Sequence, residues 1–280
     1  MIANLKSVLL KAQKEGFAVG AFNTNNMELT MAIIKGAEKT NSPVIVAISE
    51  GALVYGGEAL VEQAKFMAVK AQVPVVLHLD HGKSVQIVEE SLKLGFSSVM
   101  FDGSAFTFDK NLHLTKQVVA LARKKRVSVE AELGTVGGSK YSEKSVPVVY
   151  PTLQQVQSFI SKVKIDAIAL GLGTSHGVPV PKEHIEQSLL KEIREQIKTP
   201  IVLHGASNLP NVDIRQAIRN GVTKINIDTE LRQAFTESVR KYLSANSHEI
   251  DIRKYLGEAS DSVQKLVCQK IELFGSKNKA

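Results

Sequence analysis

The sequence predicts a single (β/α)8 barrel, a TIM barrel, over residues 1–280. Three observations predict it. Eight short β-rich runs alternate with helical patterns almost from end to end, a rhythm that builds a parallel sheet. The runs are near-continuous in apolar residues, as strands are when both faces are covered. No linker or shift in composition divides the chain, and its length suits one barrel.

The opening stretch MIANLKSVLLKAQKEG has apolar residues at helical spacing and no cleavable signal pattern. Strands are expected at 18–22, 44–48, 73–79, 97–101, 127–133, 167–170, 201–203 and 222–227. Helical periodicity fills the segments between them, clearest at 27–39, 85–94, 110–125 and 185–197. Two stretches depart from the rhythm. The connection 134–151 is long for a barrel and carries glycines, serines and charges, the character of a lid or binding loop. Beyond Leu243 a charged turn and a further helix form a C-terminal extension, about 244–280, with room for contacts to a partner subunit.

Composition is that of a soluble globular protein: 44% hydrophobic, 22% charged, no tryptophan. A net charge of +7 could attract nucleic acid, an anionic membrane or a phosphorylated metabolite. The positive residues are scattered, however, and the cluster Arg123-Lys124-Lys125-Arg126 reads as the solvated end of a helix. No aromatics alternate with it, which argues against a nucleic-acid surface. No apolar run approaches a membrane span. Cys268 is the only cysteine, so no intrachain disulfide forms; it lies in an amphipathic stretch as a structural thiol. A reducing compartment, the cytoplasm, is the expectation.

Three histidines carry the chemistry. His81, His176 and His204 each sit where an apolar run breaks into a glycine-containing turn: VVLHLDHG, IALGLGTSHG and IVLHGAS. Neutral imidazole suits a borderline cation, and three of them leave a fourth position for substrate. In a barrel, chemistry belongs at the carboxyl ends of the strands. Those ends read Asn23, Ser49, Asp80 with His81, Asp102, Glu132, His176, His204, and Asn226 with Asp228. His78 and Asp80 share strand parity and His81 has the opposite one, so His81 reaches the centre only if the strand ends by Asp80. His78 reads as a core or supporting group, and His113, His184 and His248 as surface residues. Asp102 also fits the role of a turn cap. Glu130 and Glu132 share one face, a costly pair inside a barrel unless a cation or donors satisfy it. The turns 204–207 and 226–229 follow late strands and precede helical segments, as phosphate sites do. Helix capping by Ser207 and Thr229 is the alternative for each turn.

The motifs AVGAFNTNN, SEGA, HLDHG, VMFDGS, VEAELGTVGG, GTSHG, VLHGAS, KINIDTELR and DIRKYLG together resemble the class II, metal-dependent fructose-bisphosphate aldolases and their tagatose-bisphosphate relatives. The resemblance covers almost the whole chain. It implies Zn2+ on His81, His176 and His204, with Asp80 as the acid and base at the C4 oxygen. Asp102 and Glu132 match a second or alternative metal position. Gly177, Gly205, Ala206, Ser207, Asn226, Ile227, Asp228 and Thr229 match the pocket for the dihydroxyacetone-phosphate half, next to Asn23. Ser49, Arg232 and Arg253 match the other phosphate site, with Arg253 coming from a neighbouring subunit. A monovalent cation (Na+ or K+) near the first phosphate and a homodimer or homotetramer are also implied.

Chemistry favours a metal over the other route to an electron sink, a lysine Schiff base. Lysines at strand ends are scarce, and Lys224 has no obvious device to lower its pKa. Two positions depart from the family pattern. Gly137-Gly138 is followed by Ser139 and Lys140 where a glutamate is common two residues on, and the nearest acid is Glu143. Either Glu143 swings in or another group serves that proton transfer. Asn208 replaces a glycine after the GAS turn, and asparagine tolerates positive φ. The expected reaction is cleavage of fructose 1,6-bisphosphate to triose phosphates, with tagatose 1,6-bisphosphate the alternative substrate. A barrel metallohydrolase is the competing class, disfavoured by twin phosphate pockets. A non-catalytic sugar-phosphate binder is disfavoured by the intact Asp80 and histidines.

Overall fold

Val19–Asn23 (β1) pairs in parallel with Val44–Ser49 (β2) on one side and with Val222–Ile227 (β8) on the other, which closes the sheet. Between them run Val75–Gly82 (β3), Ser98–Phe101 (β4), Ser128–Leu133 (β5), Ala167–Leu170 (β6) and Ile201–Leu203 (β7), in sequence order and all parallel. This is a computed structural model, and it describes residues 1–138, 147–177 and 184–280. The expected strands are present: β6, β7 and β8 match end for end, and the other five differ by one to three residues at an end. β3 begins after Pro74, which has no N–H to give a ladder.

Alternation along the strands sorts the side chains. Val46, Ile48, Leu77, Leu79, Val99, Phe101, Ile168 and Leu170 face outward into the layer shared with the helices. Val19, Ala21, Ile45, Val76, Met100, Ala167, Ala169 and Val202 form a second core inside the barrel. Leu5, Val8 and Leu9 of Leu5–Glu15 (α1), with Phe17, join it and close the amino-terminal mouth. Further along the same inward faces come His78, Asp80, Glu130, Glu132, Lys224 and Asn226, all buried. The interior is therefore apolar at one end and charged towards the other, where the strands end.

The outer layer holds Met27–Lys39 (α2), Glu50–Lys70 (α3), Val85–Leu94 (α4), Phe108–Lys124 (α5), Leu153–Lys162 (α6), Gln187–Gln196 (α7), Asn211–Arg219 (α8) and Thr229–Ala245 (α9). Asn26, Ser84 and Thr152 cap their helices with side-chain oxygens, and Thr152 completes a capping box with Gln155. The basic cluster at 123–126 ends α5, where cations complement the dipole. The C-terminal extension is Ile252–Phe274 (α10), which buries Val263, Val267, Ile271 and Phe274. It crosses α2 at Gly36, where a Cβ would strike Val267. Cys268 is half-buried in that contact, its Sγ 3.7 Å from the Gly36 carbonyl, and burial raises its thiol pKa. Both facts fit a structural thiol. Among the described residues no helix is long and apolar enough to cross a membrane.

Candidate metal centre

On a regular strand Asp80 and His81 would point to opposite sides. His81 instead takes a left-handed backbone, φ 50°, and the pairing of β3 with β4 shifts register between Leu79 and Gly82. This bulge brings His81 beside Asp80. The strand therefore runs on to Gly82 and does not end by Asp80, as simple parity required. A Cβ on Gly82 would overlap Leu79 and the Met100 carbonyl, so the bulge also needs glycine there.

His176 lies in the turn after β6, and His204 directly follows β7. The base of the long connection is stitched to that first turn: Gly137 N–H donates to Thr174 O (2.9 Å) and His176 N–H to Gly137 O (2.7 Å). The ring centroids of His81 are 4.8 Å from those of His176 and 4.6 Å from those of His204, with the rings steeply inclined. One nitrogen of each ring lies within 4.8 Å of the other two. Tetrahedral Zn–N bonds of about 2.0–2.1 Å set nitrogens about 3.3 Å apart, so shifts below about 1 Å bring all three onto one ion.

The partners of the rings point the same way. His81 Nδ1 meets Asp102 Oδ2 at 2.8 Å, and its buried Nε2 has no hydrogen bond. His204 Nε2 meets Glu130 Oε1 at 3.0 Å, and its buried Nδ1 has none. Leaving a buried nitrogen unpaired is costly, whereas a ligating imidazole commonly has its second nitrogen on a carboxylate. The donor set fits a divalent cation.

A second cluster shares His81, whose ring lies with Asp102 and Glu132 within the same 4.8 Å limit. Burial, then repulsion from Asp102, pushes the Glu132 carboxyl up to about 8. Burial opposes the His81 imidazolium, but Asp80, Asp102 and Glu132 outweigh it and raise its pKa to about 9. Burial likewise opposes the Asp102 carboxylate, yet His81 and two bonds from Ser104 hold it well below the usual range. Negative charge is in excess, and a proton is retained where a cation would be held better. Asp102 thus caps its turn and orients His81 at once.

Asp80 is clamped from two sides. Asn23 Nδ2 donates to Oδ2 at 2.8 Å and Asn226 Nδ2 to Oδ1 at 3.0 Å, which fixes the carboxylate plane. Deeper in the barrel His78 bonds Ser98 Oγ at 2.8 Å and has no exposed surface, as a core group should. Burial and the Lys224 charge lower the His78 pKa to about 3; burial and the His81 charge lower that of His204 to about 4. Both are neutral imidazoles. Lys224 Nζ is bonded to both carboxylate oxygens of Glu130 and lies away from the cleft, so it is not placed as a Schiff-base nucleophile.

A cleft over Asp80 is lined by Asn23, Ser175, His176, Gly177, Gly205, Ser207, Asn226, Asp228 and Thr229. Sequence reasoning picks out all of these except Ser175. Its signal is the hydroxyl in GTSHG, the counterpart of Ser207 one strand later. Gly205, at φ 65°, leaves no room for a Cβ against the Ser175 backbone, so the two turns abut. Asn208 keeps a positive φ of 63°, its N–H on Glu230 Oε1 at 2.6 Å. Ala206 and Ile227 bury their side chains in the outer core and offer only backbone. Among the described residues Ser49, Arg232 and Arg253 are not part of the lining. Ser49 accepts the Ala52 N–H, Arg232 meets Asp228 at 3.0 Å, and Arg253 is 86% exposed and doubly bonded to Asp251. Glu143, with Ser139 and Lys140, lies outside the described residues.

Residues 3–279 match the family described as class-II fructose-bisphosphate aldolase. A fructose-bisphosphate aldolase of Thermus caldophilus is 42% identical over the full length of both chains. One from Staphylococcus aureus (strain Mu50 / ATCC 700699) is 38% identical over 100% of this chain and 99% of that one. The crystal structure of the YdjI aldolase from Escherichia coli K12 superimposes with a TM-score of 0.88 at 34% identity, covering both chains entirely.

Proposed function

The chain belongs to the class II fructose-bisphosphate aldolases, carbon–carbon lyases, and from that premise we propose that it reversibly cleaves fructose 1,6-bisphosphate to dihydroxyacetone phosphate and glyceraldehyde 3-phosphate. One observation carries the proposal: three imidazoles distant in sequence converge beside a carboxylate clamped by two amides. His81, His176 and His204 would hold Zn2+, and Asp102 with Glu132 a second divalent site. When bound, the cation supplies positive charge that stabilises the negative charge developing on substrate oxygens.

The chain's own residues do the rest. Asp80 takes the proton from the C4 hydroxyl in cleavage and returns it to the carbonyl oxygen in condensation. Asn23 and Asn226 hold its carboxylate in plane. Backbone N–H groups and hydroxyls of the turns at Gly177, Gly205–Ser207 and Asn226–Thr229 bind the dihydroxyacetone-phosphate end, with Ser175 beside them. A monovalent cation, Na+ or K+, accompanies that phosphate. Ser49 and Arg232 serve the other phosphate together with Arg253 of a second copy; its exposed position at the start of α10 supports that, and with it a homodimer or homotetramer. Glu143, or a group in its place, moves the proton at the dihydroxyacetone-phosphate carbon. The setting is glycolysis or gluconeogenesis in the cytoplasm.

An activity panel tests this: fructose and tagatose 1,6-bisphosphates, each with zinc, with cobalt and after chelation. Triose phosphates should appear from the fructose ester with metal and vanish without it. Faster cleavage of the tagatose ester would reassign the substrate. Activity untouched by thorough chelation would remove the metal, and phosphate release without trioses would point to a hydrolase.

The pKa shifts add a prediction with a definite sign. His81 and Glu132 both bind protons more tightly in the metal-free fold than at their ordinary values of 6.5 and 4.5. The His81 contribution is whole below pH 6.5 and is lost as pH rises through about 9; that of Glu132 is whole below 4.5 and is lost through about 8. The metal-free Tm should therefore fall as pH rises from 6.5 towards 9. Zinc competes with those protons, so the zinc-induced rise in Tm should grow over the same window. Calorimetry at matched ionic strength reads both, and a zinc effect shrinking with pH would contradict the assignment.

A further inference from the structure

Beneath the histidine cluster a chain of polar groups crosses the barrel. Ser98 Oγ meets His78 Nδ1 at 2.8 Å, and Lys224 Nζ lies 3.4 Å from His78 Nε2. Lys224 Nζ donates to both carboxylate oxygens of Glu130, at 3.0 and 2.8 Å, and Glu130 Oε1 meets His204 Nε2 at 3.0 Å. His78, Glu130, Lys224 and His204 have no exposed surface. The pair Glu130–Lys224 lines no part of the cleft.

Stability alone does not account for such a pair. Two charges taken from water into a dry barrel recover little beyond what a well-packed apolar pair would give. The member of the chain with chemistry elsewhere is His204. With a carboxylate on Nε2, the proton must sit on Nε2 and the lone pair on Nδ1, the buried nitrogen that has no hydrogen bond. Taking His204 as a metal ligand, as proposed above, we infer that Glu130 is a positioning residue for the metal centre: it fixes the His204 tautomer and ring plane, while Lys224 anchors Glu130 and cancels its charge.

Two charge-free double variants of the full chain test this. Glu130→Gln with Lys224→Met keeps an oxygen to accept from His204 Nε2–H; Glu130→Leu with Lys224→Met removes it. Zinc affinity is measured by competition with a chromophoric chelator, and the metal-free Tm of each variant reports the fold. The leucine variant should bind zinc on the order of 10–100-fold more weakly than the wild type, with the glutamine variant between them. Metal-free Tm values of the two variants should match. Wild-type affinity in the leucine variant overturns the inference. If that variant does not fold, the glutamine variant decides alone, with about tenfold weaker binding expected from loss of the charged acceptor and unchanged affinity overturning it. His204→Ala separates the two layers: loss of zinc there establishes the ligand independently of Glu130, whereas retained wild-type affinity overturns the metal assignment and the inference with it.

Discussion

Replacing Asp80 with alanine is expected to lower kcat for fructose 1,6-bisphosphate cleavage by about 10²–10⁴-fold, the usual loss when a positioned acid or base is removed, and to leave the metal content near that of the wild type. The carboxylate is already committed to Asn23 and Asn226, which hold it beside the histidines in the way the proposed proton transfer requires. On the proposed mechanism its partner is the C4 hydroxyl, which gives up its proton as the carbon–carbon bond breaks. An interaction made chiefly in the transition state is lost from kcat and kcat/KM together, with KM nearly constant. Steady-state kinetics and metal analysis on the same preparation check this. Loss of zinc would make Asp80 a ligand, and undiminished turnover would move the proton transfer to another group.

Most of this architecture is written locally. Apolar runs covered on both faces mark all eight strands, because parallel strands inside a layer of helices have no polar side to confuse the pattern. Strand parity also places Glu130 and Glu132 inward and predicts that the pair needs compensation. What parity cannot supply is the compensating partner: Lys224 is 94 residues from Glu130 in sequence, and their meeting depends on closure of the barrel. His81 shows a different limit. Its inward position comes from a bulge with positive φ at a residue other than glycine, and such a conformation is set by the neighbouring strand and not by local propensity. Ser175 escaped because it sits in a turn beside a histidine that explains the motif by itself. Arg253 is a contrasting case, since no single chain brings it to the cleft and its assignment needs a second copy.

The largest stability effect is expected from Lys224→Met alone, about 3–5 kcal/mol, because it strands a carboxylate in a fully buried place. Glu130 would keep the His204 Nε2–H bond and lose both of its bonds from the Lys224 ammonium. Protonation of Glu130 offers an escape, but the neutral acid then has to rebuild its bonds to His204 and to the space vacated by the lysine head. The double change Glu130→Gln with Lys224→Met should recover most of the loss, since it removes both charges at similar volume. Urea titrations of the four proteins in a double-mutant cycle measure the coupling, which should be large and of the sign that makes each single change worse than the pair. A loss below about 1 kcal/mol for the single change would mean water reaches Glu130, and the dry, neutral floor under His204 would then not exist. A floor that costs this much when half removed, yet little when wholly removed, is maintained for what it orients.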